Sequence, residues 1–198
     1  MDMLMQQISW DNLPGLEKAG DGKKTALTVG VFDGLHRGHQ ALIAKITAKA
    51  PELLPVVVTF RENPKKFTKT AGKSAKNPRD IIDFKEKIFL MESMGISLCV
   101  IIDFSEHFSK MSGRDFLEAL NCRLRPAYMA LGMNFHCGYR RDTDAGTFKT
   151  LAEGLGIEVE IIPPILEWGL PVSSSRIRSA LEAGRINEAN LLLGRPMV

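Results

Sequence analysis

Cysteine is scarce in this chain, and nothing pairs it. Cys99, Cys122 and Cys137 are the three present in 198 residues, an odd number without a CxxC spacing. This excludes a disulfide framework and the usual zinc arrangements, and it predicts a reducing, cytoplasmic setting. Cys99 lies in an apolar run and Cys122 closes a helical pattern, so both are expected to be inert packing residues. Long hydrophobic runs are also lacking. No stretch reaches the length of a membrane span, and the opening MDMLMQQISW carries polar residues where a signal peptide would be apolar, so no membrane partner is expected. Neither charge sign dominates: 26 Lys and Arg against 23 Asp and Glu leave a net charge of +3. That balance excludes a nucleic-acid footprint but admits anionic small molecules. Repeats and low-complexity tracts are absent.

What is present is a 44% hydrophobic, 25% charged composition that suits one globular domain over residues 1–198. Residues 1–25 form a polar lead-in. Ala26 to Phe32, Pro55 to Phe60, Ser97 to Phe104, Ala127 to Phe135 and Gly156 to Ile162 read as five strands. Helical periodicity falls between them, from Gly38 to Ala50, from Asp80 to Met94, after an N-cap at Ser112, and from Thr147 to Leu155. Two short helices close the chain, Ser174 to Ala183 and Asn187 to Leu193, the second lying in a C-terminal segment 184–198. Residues 61–78 read as a long mobile loop, since connections of this length are functional or disordered. The run from Lys65 to Arg79 carries six positive charges and no acidic residue, as a solvated loop or an anion-steering one. Strands alternating with helices predict an α/β fold, a Rossmann-like doubly wound parallel sheet of five strands with helices on both faces. Ligands in such folds bind beyond the carboxyl ends of the strands.

The most informative segment leaves the first of these strands. GVFDGLHRGH, Gly30 to His39, places glycines at a turn and two histidines at a helix start. Gly30 and Gly34 let the backbone turn and approach a ligand, and Gly38 sits where exposed amides favour an anion. The string is neither GxGxxG nor GxxxxGK[ST], which disfavours a dehydrogenase-type dinucleotide site and excludes a P-loop. His36 and His39, three apart, can present both rings to one side as hydrogen-bond donors for phosphate. HExxH is absent and no third metal ligand stands nearby. Asp33 is a metal-ligand candidate or, between glycines, a turn former. A second segment, VSSSRIR from Val172 to Arg178, follows the fifth strand. Its serines cap a helix and supply hydroxyls, and Arg178 can bend back toward the helix start to grip phosphate.

At these two segments the sequence resembles the nucleotidyltransferase superfamily, with its HxGH turn and later serine-arginine helix start. The longer set is narrower: GxFDGxHxGH, VVTFxxxP, the GxxFxxG turn from Gly132 to Gly138, VSSxRIR and LLGRP are together similar to the FMN adenylyltransferase part of bacterial FAD synthetases. The resemblance spans about Leu27 to Pro196. It implies transfer of AMP from ATP to FMN with Mg²⁺, giving FAD and pyrophosphate, with these small molecules as the partners. His36, His39 and Arg178 would then be catalytic. Gly30, Phe32, Asp33, Gly34, Gly38, Ser173, Ser174 and Ser175 would bind ATP. Phe60, Asn63, Pro64, Asn134 and Phe135 would contact the flavin, although Phe60 and Phe135 equally suit core packing at strand ends. Loss of His36 or Arg178 is expected to lower turnover strongly and leave the fold intact.

The departures fall on the flavin side. Phe60-Arg61-Glu62-Asn63-Pro64 replaces the family's FxPHP, Cys137 stands for an aromatic, and the segment Tyr139 to Gly146 is longer than usual. Ser175 replaces a threonine. In bifunctional members LLGRP leads into a riboflavin kinase domain, whereas this sequence ends at Val198. Two alternatives stay open. One is a nucleotidyltransferase with another phosphorylated acceptor, such as a pyridine mononucleotide or phosphopantetheine. The other is a flavin- or nucleotide-binding module without turnover.

Overall fold

The computed structural model describes residues 4–13, 23–64, 67 and 80–197. Most of the basic run and of the expected loop at 61–78 lies outside the described residues. The centre of the molecule is a six-stranded sheet with every neighbouring pair parallel. Its strands are β1 (Gln6–Ser9), β2 (Thr25–Val29), β3 (Leu54–Phe60), β4 (Leu98–Ile102), β5 (Pro126–Gly132) and β8 (Glu158–Ile162), in the spatial order β1-β4-β3-β2-β5-β8. Five strands were expected. The sixth, β1, sits in the polar lead-in and pairs with β4, from Gln6 opposite Leu98 to Ser9 opposite Ile101. An edge strand with two exposed glutamines lacks an apolar signature, because only one flank and part of one face need burial.

The inner strands alternate their side chains between two apolar layers. Ala26, Val57, Cys99 and Ala130 face one layer, where α1 (Arg37–Thr47), α2 (Phe84–Ser93), α6 (Ser174–Glu182) and α7 (Ile186–Leu193) pack through Ile43, Met91, Ile177 and Leu192. Leu27, Val58, Val100 and Met129 face the other, under α4 (Gly113–Leu124) and α5 (Ala145–Glu153), which contribute Leu117, Leu120 and Phe148. Trp10 and Leu13 of the lead-in are buried in this second layer. The helices start where capping side chains allow. Ser112 Oγ accepts the Asp115 N–H at 3.1 Å, Asp83 caps α2 at 2.8 Å and Asp144 caps α5 at 2.8 Å. Cys99 is buried as expected. Cys122 is not: it lies on the exposed face of α4.

The chain leaves β2 toward β3 and β4 on one side, then returns to β5 and β8 on the other. The direction reverses beside β2, and the strand exits diverge there into a crevice. Three small elements follow the strand exits. The short helix α3 (Glu106–Ser109) follows β4, the hairpin β6 (His136–Cys137) with β7 (Thr143–Asp144) follows β5, and the hairpin β9 (Leu166–Glu167) with β10 (Leu170–Pro171) follows β8. None of the three carries a periodic pattern.

Candidate active site

Beyond the strand exits lies a cavity of about 690 Å³. The turn from β2 to α1 forms its floor. Phe32 and Leu35 adopt left-handed backbone angles, φ 53° and 41°, and Gly34 has φ 79°. Two non-glycine residues in that region persist only where the surroundings over-determine them. Here Phe32 and Leu35 are fully buried. Gly30 and Gly38 leave room for rings: an added Cβ would come within 3.1 Å of Phe32 and 3.2 Å of the His36 imidazole respectively.

The two histidines are stacked, with ring centroids 3.7 Å apart and planes 16° from parallel. Phe32 meets His39 edge-on at 5.2 Å. Burial lowers the pKa of His36 to about 4. His39 is held well below 6.5 by burial, then by the neighbouring His36 and Lys87. Both imidazoles are therefore neutral at pH 7. Their Nδ1 atoms are buried without a hydrogen-bond partner among the described residues. Buried orphan polar atoms are rare in native proteins and call for a reason at a cavity wall. His36 is also the N-cap residue of α1, and its side chain makes no capping hydrogen bond there.

The second segment meets the first here. Ser173 caps α6, accepting the Arg176 N–H at 3.3 Å. Ser174 Oγ donates to the Asp33 carbonyl at 2.9 Å. The Arg178 guanidinium pairs with the Asp33 carboxylate, which also accepts the Ile81 N–H at 2.9 Å. Asp33 is thus a clasp between the two segments and is committed to them. Arg176 turns the other way and donates to the Glu167 and Leu170 carbonyls of the β9–β10 hairpin.

Of the residues singled out in the sequence, Gly30, Phe32, Asp33, Gly38, His36 and His39 line the cavity, as do Ser173, Ser174, Ser175 and Arg178. Phe60, Asn63, Pro64, Asn134 and Phe135 line it as well. Gly34 does not. It faces Ile81 and Leu193 on the far side of the turn, so its part is to shape the backbone, not to approach a ligand. Sequence reasoning missed Phe104, Phe108, Met111, Arg140 and Arg141, which also line the wall. Phe60, Phe104 and Phe108 form an edge-to-face cluster with centroids about 6 Å apart. Phe104 stands at a strand exit and was findable by that rule. Phe108 and the two arginines sit in short irregular elements without periodicity. Phe135 packs on Phe148 at 5.2 Å and still borders the cavity, so core packing and lining are both its work. Cys137 lines the same wall as a neutral thiol, its pKa pushed up to about 12 by burial and then by Asp142.

The sheet order and the crevice beside β2 define the chain as a doubly wound α/β protein with a candidate ligand cavity at its switch point. Residues 18–176 match the FAD synthetase family model, and the chain belongs to that family. Its relatives include the bifunctional riboflavin kinase/FMN adenylyltransferases of Bacillus subtilis, 32% identical over 178 residues, and of Buchnera aphidicola, 30% identical over 174. These alignments cover 87% and 86% of this chain and 54% of each relative, so the chain spans about half the length of the curated relatives it matches. Among solved structures, a protein from Streptococcus pneumoniae titled a macrolide-efflux protein superposes with TM-score 0.81 at 25% identity, over 98% of this chain and 63% of that one. A pantoate-beta-alanine ligase from Francisella tularensis shares the fold with TM-score 0.59 at 14% identity, over 93% of this chain and 78% of the ligase. No helix among the described residues is long and apolar enough to cross a membrane.

Proposed function

We propose that the protein is an FMN adenylyltransferase, moving AMP from ATP to FMN. The observation that carries this is the convergence on one cavity of two neutral imidazoles with unpartnered Nδ1 atoms, a guanidinium, and an aromatic wall. In this reading His36, His39 and Arg178 face the ATP phosphates. Gly30, Phe32, Asp33, Gly38 and the serines 173–175 shape the nucleotide pocket. Phe60, Asn63, Pro64, Asn134 and Phe135, joined by Phe104 and Phe108, take the flavin.

An FMN phosphate oxygen attacks the α-phosphorus of ATP. The new P–O bond forms as the α–β bridge breaks, and the electron pair leaves on pyrophosphate. The attacking oxygen is already anionic, so no protein base or nucleophile is required. The imidazoles donate N–H to phosphate oxygens, and these hydrogen bonds strengthen as negative charge grows on the leaving group. Burial keeps them neutral beforehand, which avoids two adjacent cations in the stack. Arg178 supplies the fixed positive charge, aimed by Asp33.

Mg²⁺, which the family resemblance implies, meets no ready cage. Among the described residues no cluster of three or more His, Cys, Asp or Glu can hold a metal, and Asp33 is engaged by Arg178 and Ile81. The ion would sit on the triphosphate, as is usual for magnesium with nucleotides. The scarcity of cysteine supports a cytoplasmic enzyme.

The test is incubation of the purified protein with ATP, Mg²⁺ and FMN, following FAD and pyrophosphate together. Both are expected, and neither without FMN. Pyrophosphate released only with a pyridine mononucleotide or phosphopantetheine would move the assignment to another acceptor. Tight binding without release would make the protein a binding module.

A further inference from the structure

One buried cation has so far entered only through its repulsion of a protonated His39. Lys87 sits on the apolar side of α2, between Phe84 and Ile88, and is 7% exposed. Its stem runs past the Phe84 ring, with Nζ 5.2 Å from the centroid. A charged group at that depth is costly unless it meets concentrated partial charge. Its Nζ donates to the Phe60 carbonyl at 2.7 Å and approaches the Val31 carbonyl at 3.4 Å and Thr59 Oγ1 at 3.5 Å. Thr59 Oγ1 donates to the same Val31 carbonyl at 3.3 Å.

These acceptors belong to two different exits. Val31 opens the turn that carries Phe32, Asp33 and His36. Phe60 ends β3 and begins the segment that carries Asn63 and Pro64. The two strands are neighbours, paired up to Val29 opposite Val58, and among the described residues the Gly30 N–H bond to the Val58 carbonyl is the last backbone hydrogen bond that joins them. We infer that Lys87 is a positioning residue that locks the phosphate-side turn to the acceptor-side segment, setting the spacing between the two halves of the cavity. It does not line the cavity, and besides its electrostatic effect on His39 it acts through the backbone it holds. The helix that carries it braces the same turn elsewhere: the Ile81 N–H just before α2 meets Asp33, and Arg195, whose guanidinium lies 3.6 Å from Glu86 of α2, donates to the Gly34 carbonyl. The substrate side of this inference rests on the adenylyltransferase reading; the structural side does not.

The experiment compares wild type with Lys87→Met and Lys87→Gln. The first readout is amide hydrogen exchange of the ligand-free full chain. The Gly30 N–H, bonded to Val58, and the Arg61 N–H, bonded to Ile102, report the two exits. Both are expected to exchange on the order of tenfold faster in the variants, with Val100 and Met129 in the sheet unchanged. The second readout is steady-state kinetics. KM for ATP and KM for FMN should both rise, with kcat/KM falling on the order of 10- to 100-fold, as for other residues that orient a site from behind. Faster exchange at one exit alone, at neither, or uniformly through the sheet overturns the inference. So does a change confined to kcat, or to one substrate. If the methionine variant does not fold, the glutamine variant, which keeps a donor, carries the test; failure of both to fold overturns the inference by making Lys87 a determinant of the whole fold. A wild type that makes no FAD sinks the adenylyltransferase reading and leaves the exchange result standing.

Discussion

Arg178 and Asp33, 145 residues apart in sequence, are ion-paired at the back of the cavity. Asp33 is 7% exposed on its side chain and Arg178 16%, so neither charge is well solvated alone. The pair therefore links the site's electrostatics to its stability.

This link alters what the loss of Arg178 should do. From the sequence, Arg178→Ala was expected to cost turnover and spare the fold. With Asp33 left behind, the variant should also lose stability, by about 1.5–3 kcal/mol as for a hydrogen bond to a charged group. Turnover should fall about 10²- to 10³-fold. Asp33→Asn combined with Arg178→Ala should recover part of the stability and none of the turnover. Urea unfolding with kinetics on the four proteins checks this; strictly additive stability losses would show that the pair is not coupled.

The buried imidazoles make stability depend on pH with a definite sign. His36 titrates near 4 in the folded protein and near 6.5 unfolded, so the unfolded chain binds more protons between those values. Stability is fully present above about 6.5 and is lost as pH falls toward 4. Between pH 7 and pH 5 this one residue should account for about 2 kcal/mol. His39, also lowered, adds in the same direction. Unfolding midpoints at the two pH values should differ less in His36→Gln than in wild type, and equal differences would contradict the burial argument.

Phosphate binding should reverse that shift. A polyphosphate near the stacked rings favours their protonated forms, so binding of pyrophosphate at pH 6 should take up protons. Titration calorimetry in two buffers of different ionisation enthalpy reads the uptake directly. A heat independent of buffer would mean that the anion does not reach the imidazoles.

Gly38→Ala separates the site from the fold. An alanine in the first turn of α1 favours the helix by up to about 1 kcal/mol. Its Cβ, however, would lie 3.2 Å from the His36 ring and must push it aside. The expected result is an unchanged or raised melting temperature with kcat/KM for ATP down about tenfold or more. Full activity would mean that the position of His36 is not critical.

Phe104→Ala probes the aromatic wall. Loss of one ring from the cluster with Phe60 and Phe108 should raise KM for FMN about 2- to 10-fold and leave KM for ATP alone. Equal effects on both substrates would assign the wall to general packing.

The amino-acid sequence by itself determined the alternation of buried strands with amphipathic helices, the helix starts at Ser112 and Ser173, and the two segments that carry His36, His39 and Arg178. These are local signals: strand runs, helical periodicity and capping serines act within a few residues, so their letters suffice. Three things were decided only in three dimensions. β1 became a strand because β4 offered it an edge. Asp33 became a clasp because Arg178 and the Ile81 amide arrive from distant parts of the chain. Lys87, which no pattern in the letters singles out, meets the backbone of two strand exits. Each depends on long-range pairing that has no period and no motif, because its cause is the approach of groups distant in sequence that the fold brings together.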